Sequence, residues 1–259
     1  MTVLPPGTIL QLLYLKERLS RYTPARFIEV GPGSGEITYI LLELGWTGTC
    51  FDIEPKIIFN LGVRFKKEIA EKRLITVSRS FISAEIFEQV DLVVSCMVME
   101  HLDNDAESAY MAKSAACLSP DGIMMGLVPA SPAHWGIEDE IAGHYRRYTR
   151  DSLTRLVVAS NWRMLHLTGL TVPISNLLLP ASNFLVRRSE KHKLKYSNAE
   201  RTKLSGRRSV KYKTYFPHVL AALLNPIVLF PLHLLQKLFG RSQLALTLFF
   251  EAKPKRLET

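Results

Sequence analysis

Apolar positions in the first two thirds of the chain alternate between short unbroken runs and stretches with helical spacing. Phe27, Ile28 and Val30 suit a buried strand. Ile37, Ile40, Leu41 and Leu44 follow at i, i+3, i+4 and i+7, one apolar face of a helix, and Gly45 stands where helices commonly stop. Thr49 to Asp52 reads as a second strand ending in an acid, Leu74 to Val77 as a third and Asp91 to Cys96 as a fourth. Leu118-Ser119-Pro120-Asp121-Gly122 predicts a turn into a fifth strand, Ile123 to Val128, closed by Pro129. Arg150 to about Ser160 predicts a helix that Thr149 can cap, and Leu244 to Ala252 reads as the last strand. Residues 9–19 predict a short amphipathic helix ahead of the first strand. Strands alternating with helices at this rhythm argue an α/β fold built on a parallel, doubly wound sheet.

Between the first strand and its helix lie glycines 31, 33 and 35. They suit a turn whose backbone approaches a ligand closely, at the carboxyl edge of the sheet. The dinucleotide fingerprint Gly-x-Gly-x-x-Gly does not fit, because position 36 is glutamate and the third glycine comes one residue early. A carboxylate at that helix start would also repel a pyrophosphate, so a cofactor with a positive centre and no phosphate fits better. Asp52, 21 residues after Gly31, stands where a carboxylate accepts both hydroxyl protons of a ribose.

Taken in order, Glu29-Val-Gly-Pro-Gly-Ser-Gly35, Asp52, Asp91-Leu-Val-Val-Ser95 with Glu100-His101-Leu102, and Leu118-Ser-Pro-Asp-Gly122 resemble a class I S-adenosyl-L-methionine-dependent methyltransferase over roughly residues 25–170. The resemblance implies a Rossmann-like seven-stranded sheet, mostly parallel with an antiparallel last strand. It implies that Glu29, Gly31, Gly33, Ser34 and Gly35 surround the methionine end of the cofactor. Asp52 and Ile53 would meet the ribose side, and Ser95 and Cys96 would lie under the sulfonium. The family often places an acid after the third strand to meet the adenine amino group. This chain has Ser78-Arg79-Ser80-Phe81 there, leaving Ser80 to hydrogen-bond the base and Phe81 to stack on it.

A chain of 259 residues is long enough for one such domain with an addition. The expected division is an N-terminal helix or lid over 1–24, a methyltransferase domain over 25–170 and 243–253, and an insertion over 171–242. Three cysteines, at 50, 96 and 117, form no Cys-x-x-Cys pair, which argues against a disulfide framework or a zinc site. No metal ligand set is predicted. The first residues show no charged leader with an apolar run and cleavage site, so a cytoplasmic protein is expected.

Charge changes the picture more. The chain carries 33 Lys+Arg against 24 Asp+Glu, a net of +9. Residues 187–213 hold 11 of the basic groups and two acids, leaving 22 against 22 elsewhere, so the whole surplus sits in that segment. A solvated loop, an anionic membrane surface, an anionic substrate and nucleic acid are the readings open to it; nucleic acid fits least, because the run carries only two tyrosines and no regular stacking platform. Tyr215 to Leu235 follows, 21 residues without Lys, Arg, Asp or Glu. Pro217, Pro226 and Pro231 interrupt it, and the strand at 244–252 must rejoin the sheet, so the stretch has to return instead of crossing a bilayer. It either covers the sheet edge or lies in a membrane interface on the inner face.

The loop after the fifth strand is where open α/β sheets hold their substrates. Here it reads Glu138-Asp139-Glu140-x-x-Gly143-His144-Tyr145-Arg146-Arg147-Tyr148, a pattern that resembles a subset of bacterial methyltransferases associated with envelope glycans and lipids. Tyr145, Arg146, Arg147 and Tyr148 beside a helix start make a candidate anion site; alternatively the arginines bridge Glu138 to Glu140. For a base that takes the acceptor's proton, His144 comes first, His101 second, and Asp139 could orient or replace either. The expected reaction is methyl transfer to oxygen or nitrogen of an anionic, lipid-linked or glycan-related acceptor at the cytoplasmic membrane face. Two other readings stand beside it: a methyltransferase for a soluble small molecule with the insertion as lid, and a non-catalytic cofactor-binding scaffold whose basic segment engages a partner or RNA. The sequence leaves the oligomeric state open.

Overall fold

The computed structural model describes residues 3–86, 88–197, 200–202 and 210–256. Within the basic run, Lys203, Arg207 and Arg208 lie outside the described residues. A seven-stranded sheet carries the fold, in the order β3-β2-β1-β4-β5-β7-β6. Its strands are β1 (Arg26–Val30), β2 (Thr47–Asp52), β3 (Leu74–Ser78), β4 (Val90–Cys96), β5 (Leu118–Pro129), β6 (Trp162–Leu170) and β7 (Thr247–Pro254). The helices are α1 (Pro6–Leu19), α2 (Glu36–Glu43), α3 (Pro55–Arg64), α4 (Lys66–Ala70), α5 (Asn104–Cys117), α6 (Ile137–Ala142), α7 (Arg150–Ala159), α8 (Ile174–Glu190) and α9 (Phe230–Leu238). β3, β2, β1, β4 and β5 run parallel, and the β5-β7-β6 end is antiparallel, as a Rossmann-like methyltransferase sheet requires.

Two compact units make up the chain. One gathers the chain up to Leu19, Pro129–Thr149 and Thr168–Leu248; the other gathers Ser20–Val128, Arg150–Leu167 and the chain from Phe249. The second unit holds the parallel strands. Phe27, Ile28, Leu92, Val93 and Val94 are all at most 2% exposed, because β1 and β4 are covered on both faces and so are written as continuous apolar runs. α2 packs its Ile37, Ile40 and Leu41 inward. Its end is set by Gly45 at φ 93°: the Gly45 N–H donates to the Leu42 carbonyl at 3.2 Å and the Trp46 N–H to that of Leu41 at 2.9 Å, closing the helix in a left-handed cap.

The predicted turn at 118–122 is a correction. These residues belong to β5, where Val90 pairs with Leu118 and Leu92 with Ile123. Four residues, Ser119 to Gly122, are therefore set against one, Asp91, and bulge out of the ladder. Ser119 Oγ donates to the Asp91 carboxylate at 2.8 Å and holds the bulge. The last strand also starts later than expected, at Thr247, and Leu244 is 60% exposed.

In the first unit, Ile9, Leu10 and Leu229 form a small core with Leu4, Leu13, Ile174, Leu224 and Leu232 around it. The apolar stretch 215–235 is broken, with a short 3-10 turn at His218–Leu220 and α9 beginning only at Phe230. Among the described residues no helix is long and apolar enough to cross a membrane.

Candidate active site

The parallel register brings three strand ends to one level. Val30 pairs with Phe51 on one side and Ser95 on the other, so Gly31, Asp52 and Cys96 each stand one residue beyond an aligned rung. The chain leaves β1 through Gly31, Gly33 and Gly35, at φ 69°, 53° and 83°, in the left-handed region that only glycine enters without strain. The three do different work. A Cβ on Gly31 would stand 2.5 Å from Val98 Cγ2, and one on Gly35 2.7 Å from both Leu61 and Phe65. Those two glycines admit the neighbouring chain. A Cβ on Gly33 would meet nothing within 4 Å, so its missing side chain keeps a space open.

Two carboxylates flank this turn. Glu29 is 2% exposed; Thr38 Oγ1 donates to it at 2.6 Å and Cys50 Sγ at 3.6 Å. Burial pushes its pKa up to about 7, against the two hydrogen bonds and with help from the negative charge of Asp52. Asp52 is half-buried, accepts the Glu54 N–H at 2.9 Å, and is raised to about 6 by burial. Ile53 beside it is 51% exposed. Cys96, at the end of β4, is a neutral thiol, raised to about 12 by burial and then by the charges of Glu100 and Glu29. Ser95 is buried and accepts the Tyr110 hydroxyl at 3.0 Å. Next to them Met97 takes φ 55°, left-handed without being glycine, and its N–H donates to the Leu127 carbonyl at 2.8 Å.

The Glu29 value gives a pH-dependent expectation. Its folded pKa lies above the ordinary 4.5, so between pH 4.5 and 7 the folded protein holds a proton that the unfolded chain has released. Stability therefore falls as pH rises through that window, by on the order of 2–3 kcal/mol. Glu29→Gln should remove most of the fall, read as the difference in urea midpoint between pH 5 and pH 8.

Beyond β3, Ser80 is half-buried and Phe81 is 2% exposed. The Phe81 ring stands edge-on to Phe51 at 5.8 Å and to Tyr110 at 5.6 Å. Glu36 at the start of α2 is not the bare acid the sequence suggested. Arg64 meets both of its oxygens, at 2.7 and 3.3 Å, and bonds the Ser34 carbonyl as well. The charge argument against a pyrophosphate is weakened accordingly; the early third glycine still stands. Nothing local in the sequence pairs Glu36 with a residue 28 positions on. His101 is half-buried and ends a 3-10 turn, Met99–His101, that also contains the fully buried Glu100.

The loop residues belong to the first unit. Within it the structure gathers Asp139, His144 and Arg147. Asp139 is fully buried and accepts the Gly136 N–H at 2.9 Å, His144 Nδ1 at 2.9 Å and Arg147 Nε at 2.7 Å. Gly143 at φ 75° ends α6 and turns the chain back, so that His144 returns over Asp139. Burial works to raise the Asp139 pKa, but the His144 and Arg147 hydrogen bonds, the Arg147 charge and the Gly136 N–H outweigh it and hold it below the usual carboxylate range. An ionised Asp139 only accepts, so His144 Nδ1 carries the proton and Nε2 is the basic nitrogen of the neutral ring.

Two of the expected acceptor contacts are corrected here. Arg147, 8% exposed in its side chain, is committed to Asp139 and to the Ala130 carbonyl at 3.1 Å. Tyr148 is 3% exposed, and its backbone bonds Pro129 and Ser131. Both serve the loop's interior, whereas Tyr145 is 48% exposed and Arg146 half-buried. The alternative, in which the arginines bridge the acids at 138–140, is met by Arg147 on Asp139, and Lys213 stands 3.0 Å from Glu138.

Residues 9–167 match a family model described as a methyltransferase domain. The chain matches no curated protein. Among solved structures it is similar to 1,6-didemethyltoxoflavin-N1-methyltransferase of Burkholderia thailandensis, solved with 1,6-didemethyltoxoflavin and S-adenosylhomocysteine: 21% identity, 64% of this chain and 73% of that one, TM-score 0.52. It is similar to magnesium protoporphyrin IX methyltransferase of Synechocystis PCC 6803 with bound S-adenosylhomocysteine: 14% identity, 64% and 77% covered, TM-score 0.53. A glycopeptide N-methyltransferase complexed with S-adenosylhomocysteine is a third: 16% identity, 61% and 80% covered, TM-score 0.50. At these identities the likeness is one of fold.

Proposed function

The chain belongs to the methyltransferase-domain family, and on that premise we propose that it binds S-adenosyl-L-methionine at the glycine turn and transfers the methyl group to an acceptor oxygen or nitrogen. The observation that carries this reading is the open space at Gly33, kept at the level of the aligned strand ends and flanked by Glu29 and Asp52. The residues fit a phosphate-free cation. The groups at the turn are a buried carboxyl, a second carboxyl suited to ribose hydroxyls and a neutral thiol, and the basic group there, Arg64, is already paired with Glu36. When bound, the donor supplies a methyl carbon activated by sulfonium.

The chain's own residues have three tasks. The glycine turn, with Ser34, lets backbone close on the donor, and Asp52 and Ile53 present an acceptor and an apolar surface to its nucleoside side. Ser80, Ser95 and Cys96 add short polar groups that need no proton exchange of their own. His144 Nε2, held in orientation through Nδ1 by Asp139, is the proposed acceptor of the substrate's proton, with His101 the alternative.

For the methyl acceptor the reading is an anionic, lipid-linked or glycan-related molecule at the cytoplasmic face of the membrane. The basic surplus in 187–213 supports an anion, and Tyr145 and Arg146 remain as its candidate contacts in the loop. Calorimetry of the full chain with S-adenosylmethionine and S-adenosylhomocysteine is the test of the donor. Saturable binding of both, and none of the reduced nicotinamide dinucleotide, is the expected result. Heat from neither sulfur compound overturns the proposal. Transfer of labelled methyl into the organic phase of a membrane extract, and not the aqueous phase, is expected for the acceptor class.

A further inference from the structure

Helix α9 is built inside out. Its polar side chains face the interior: His233 is 3% exposed and Gln236 fully buried. Gln236 Nε2 donates to the Leu10 carbonyl at 3.0 Å and its Oε1 accepts the Thr171 N–H at 3.0 Å, while His233 Nε2 meets Glu17 at 3.0 Å. The apolar side chains face out. Phe230, Leu234 and Leu238 fall at i, i+4 and i+8 on one stripe and are 50%, 49% and 82% exposed; Ile227, one turn earlier, is 86% exposed. The inward side of this stretch already has its apolar partners, through Leu224, Leu229 and Leu232 against Ile9 and Leu10. A helix of a water-bound globule keeps its apolar stripe for the core. This one spends its polar groups on the core and offers a second apolar stripe outward.

The charge around the stripe identifies what covers it. From 201 to 250 the chain has eight Lys+Arg and no Asp or Glu. Arg241 follows the stripe and Lys211 precedes the apolar stretch, whereas Lys237 and Lys213 meet Glu17 at 2.8 Å and Glu138 at 3.0 Å, acids contributed from outside this segment. Fifty residues without one negative group suit an extended anionic surface. They disfavour a second copy of this chain, whose own segment would repel the first. Nine residues of helix span about 14 Å, less than half a hydrocarbon core, so α9 is too short to cross a bilayer.

We infer that α9 and the turn before it are a membrane-docking face, in which Ile227, Phe230, Leu234 and Leu238 enter the headgroup boundary of an anionic bilayer and the flanking lysines and arginines hold its charged surface. The inference rests on the reading that the enzyme works at a membrane, and it names the element that takes it there.

The test uses the full chain and two vesicle compositions, phosphatidylcholine alone and phosphatidylcholine with phosphatidylglycerol, at low and high salt. The wild type sediments with the anionic vesicles at low salt, and raising the salt weakens this. The double variant Leu234→Glu/Leu238→Glu changes only exposed positions, so its far-UV circular dichroism and donor calorimetry match the wild type. Its partition onto anionic vesicles falls at least about tenfold. Equal partition of variant and wild type overturns the inference, as does a wild type that binds donor and ignores both vesicles. Self-association in sedimentation velocity that the variant abolishes, without vesicle binding, assigns the stripe to a second copy and overturns it too. A wild type without donor heat counts against the proposed activity, not against this face.

Discussion

Asp139→Ala should be the most destabilising single change in the loop, costing about 3–5 kcal/mol, because it strands a buried cation. The Arg147 side chain is 8% exposed, and apart from Asp139 its bonded partner is one backbone carbonyl, that of Ala130. A carbonyl accepts a proton without neutralising a charge, so the guanidinium is left in a low-dielectric site with half its partners gone. His144 loses the group that fixes its tautomer, and the Gly136 N–H loses its cap. Asp139→Asn keeps one acceptor oxygen for His144 and Arg147 but turns an amide NH2 toward the Gly136 N–H, and should cost less than the alanine, roughly 2–3 kcal/mol. The pH dependence separates this from simple loss of packing. The Asp139 carboxyl is held below its usual value in the folded protein, so its contribution is complete above the unfolded value near 4 and disappears as pH falls through the lower folded value. Guanidinium denaturation at pH 7 and at pH 3 should show wild type and Asp139→Ala far apart at the first and closer at the second. A constant gap at both would mean that the carboxylate charge is not what holds the loop.

The parallel half of the sheet was readable because it is locally written. Runs such as Leu92-Val93-Val94 are apolar on both faces, and Gly31, Gly33, Gly35 and Gly45 all take the left-handed angles their positions suggested. The turn signal at 118–122 has a specific outcome in the fold. Pro120, Asp121 and Gly122 are turn residues, and they do bend the chain, but as a bulge whose two ends both stay in the ladder with β4. Sequence cannot say whether a bend ends a strand or only leaves it for four residues. Charge was the harder reading. Three consecutive acids stand at 138–140, and periodicity does not tell which turns inward; the structure buries Asp139 completely and pairs Glu138 with Lys213. Arginine gave the opposite error. Arg147 reads as an anion ligand because it stands beside a helix start, yet its burial is tolerated where a carboxylate eight residues earlier folds back to meet it. Arg64 was missed because its partner Glu36 is remote in sequence. The inverted helix α9 lay hidden in a run apolar on every side, where only the placement of His233 and Gln236 reveals which face turns outward.

The glycine turn permits a paired prediction in which stability and binding separate. Gly33→Val puts a branched side chain at φ 53°, a left-handed position that costs about 1–2 kcal/mol for a residue with a Cβ. Its Cβ would meet no neighbour within 4 Å, so the overpacking expected at Gly35 has no counterpart at that atom. The same side chain fills the space proposed for the donor, and donor affinity should then drop at least about a hundredfold, near 2.7 kcal/mol. Gly35→Val carries the same backbone strain at φ 83°, but its Cβ would stand 2.7 Å from Leu61 and Phe65, both at most 3% exposed. Those two side chains belong to α3 and the turn after it, and a buried ring and a buried leucine cannot both retreat, so overpacking adds about 1–3 kcal/mol to the strain. The expected pattern is a crossed one. Gly33→Val keeps most of its urea midpoint and loses calorimetric binding of S-adenosylmethionine, and Gly35→Val loses its midpoint first. Were Gly33→Val to bind the donor as the wild type does, the open space beside it would not be the cofactor cradle, and the site would have to be sought elsewhere along the strand ends.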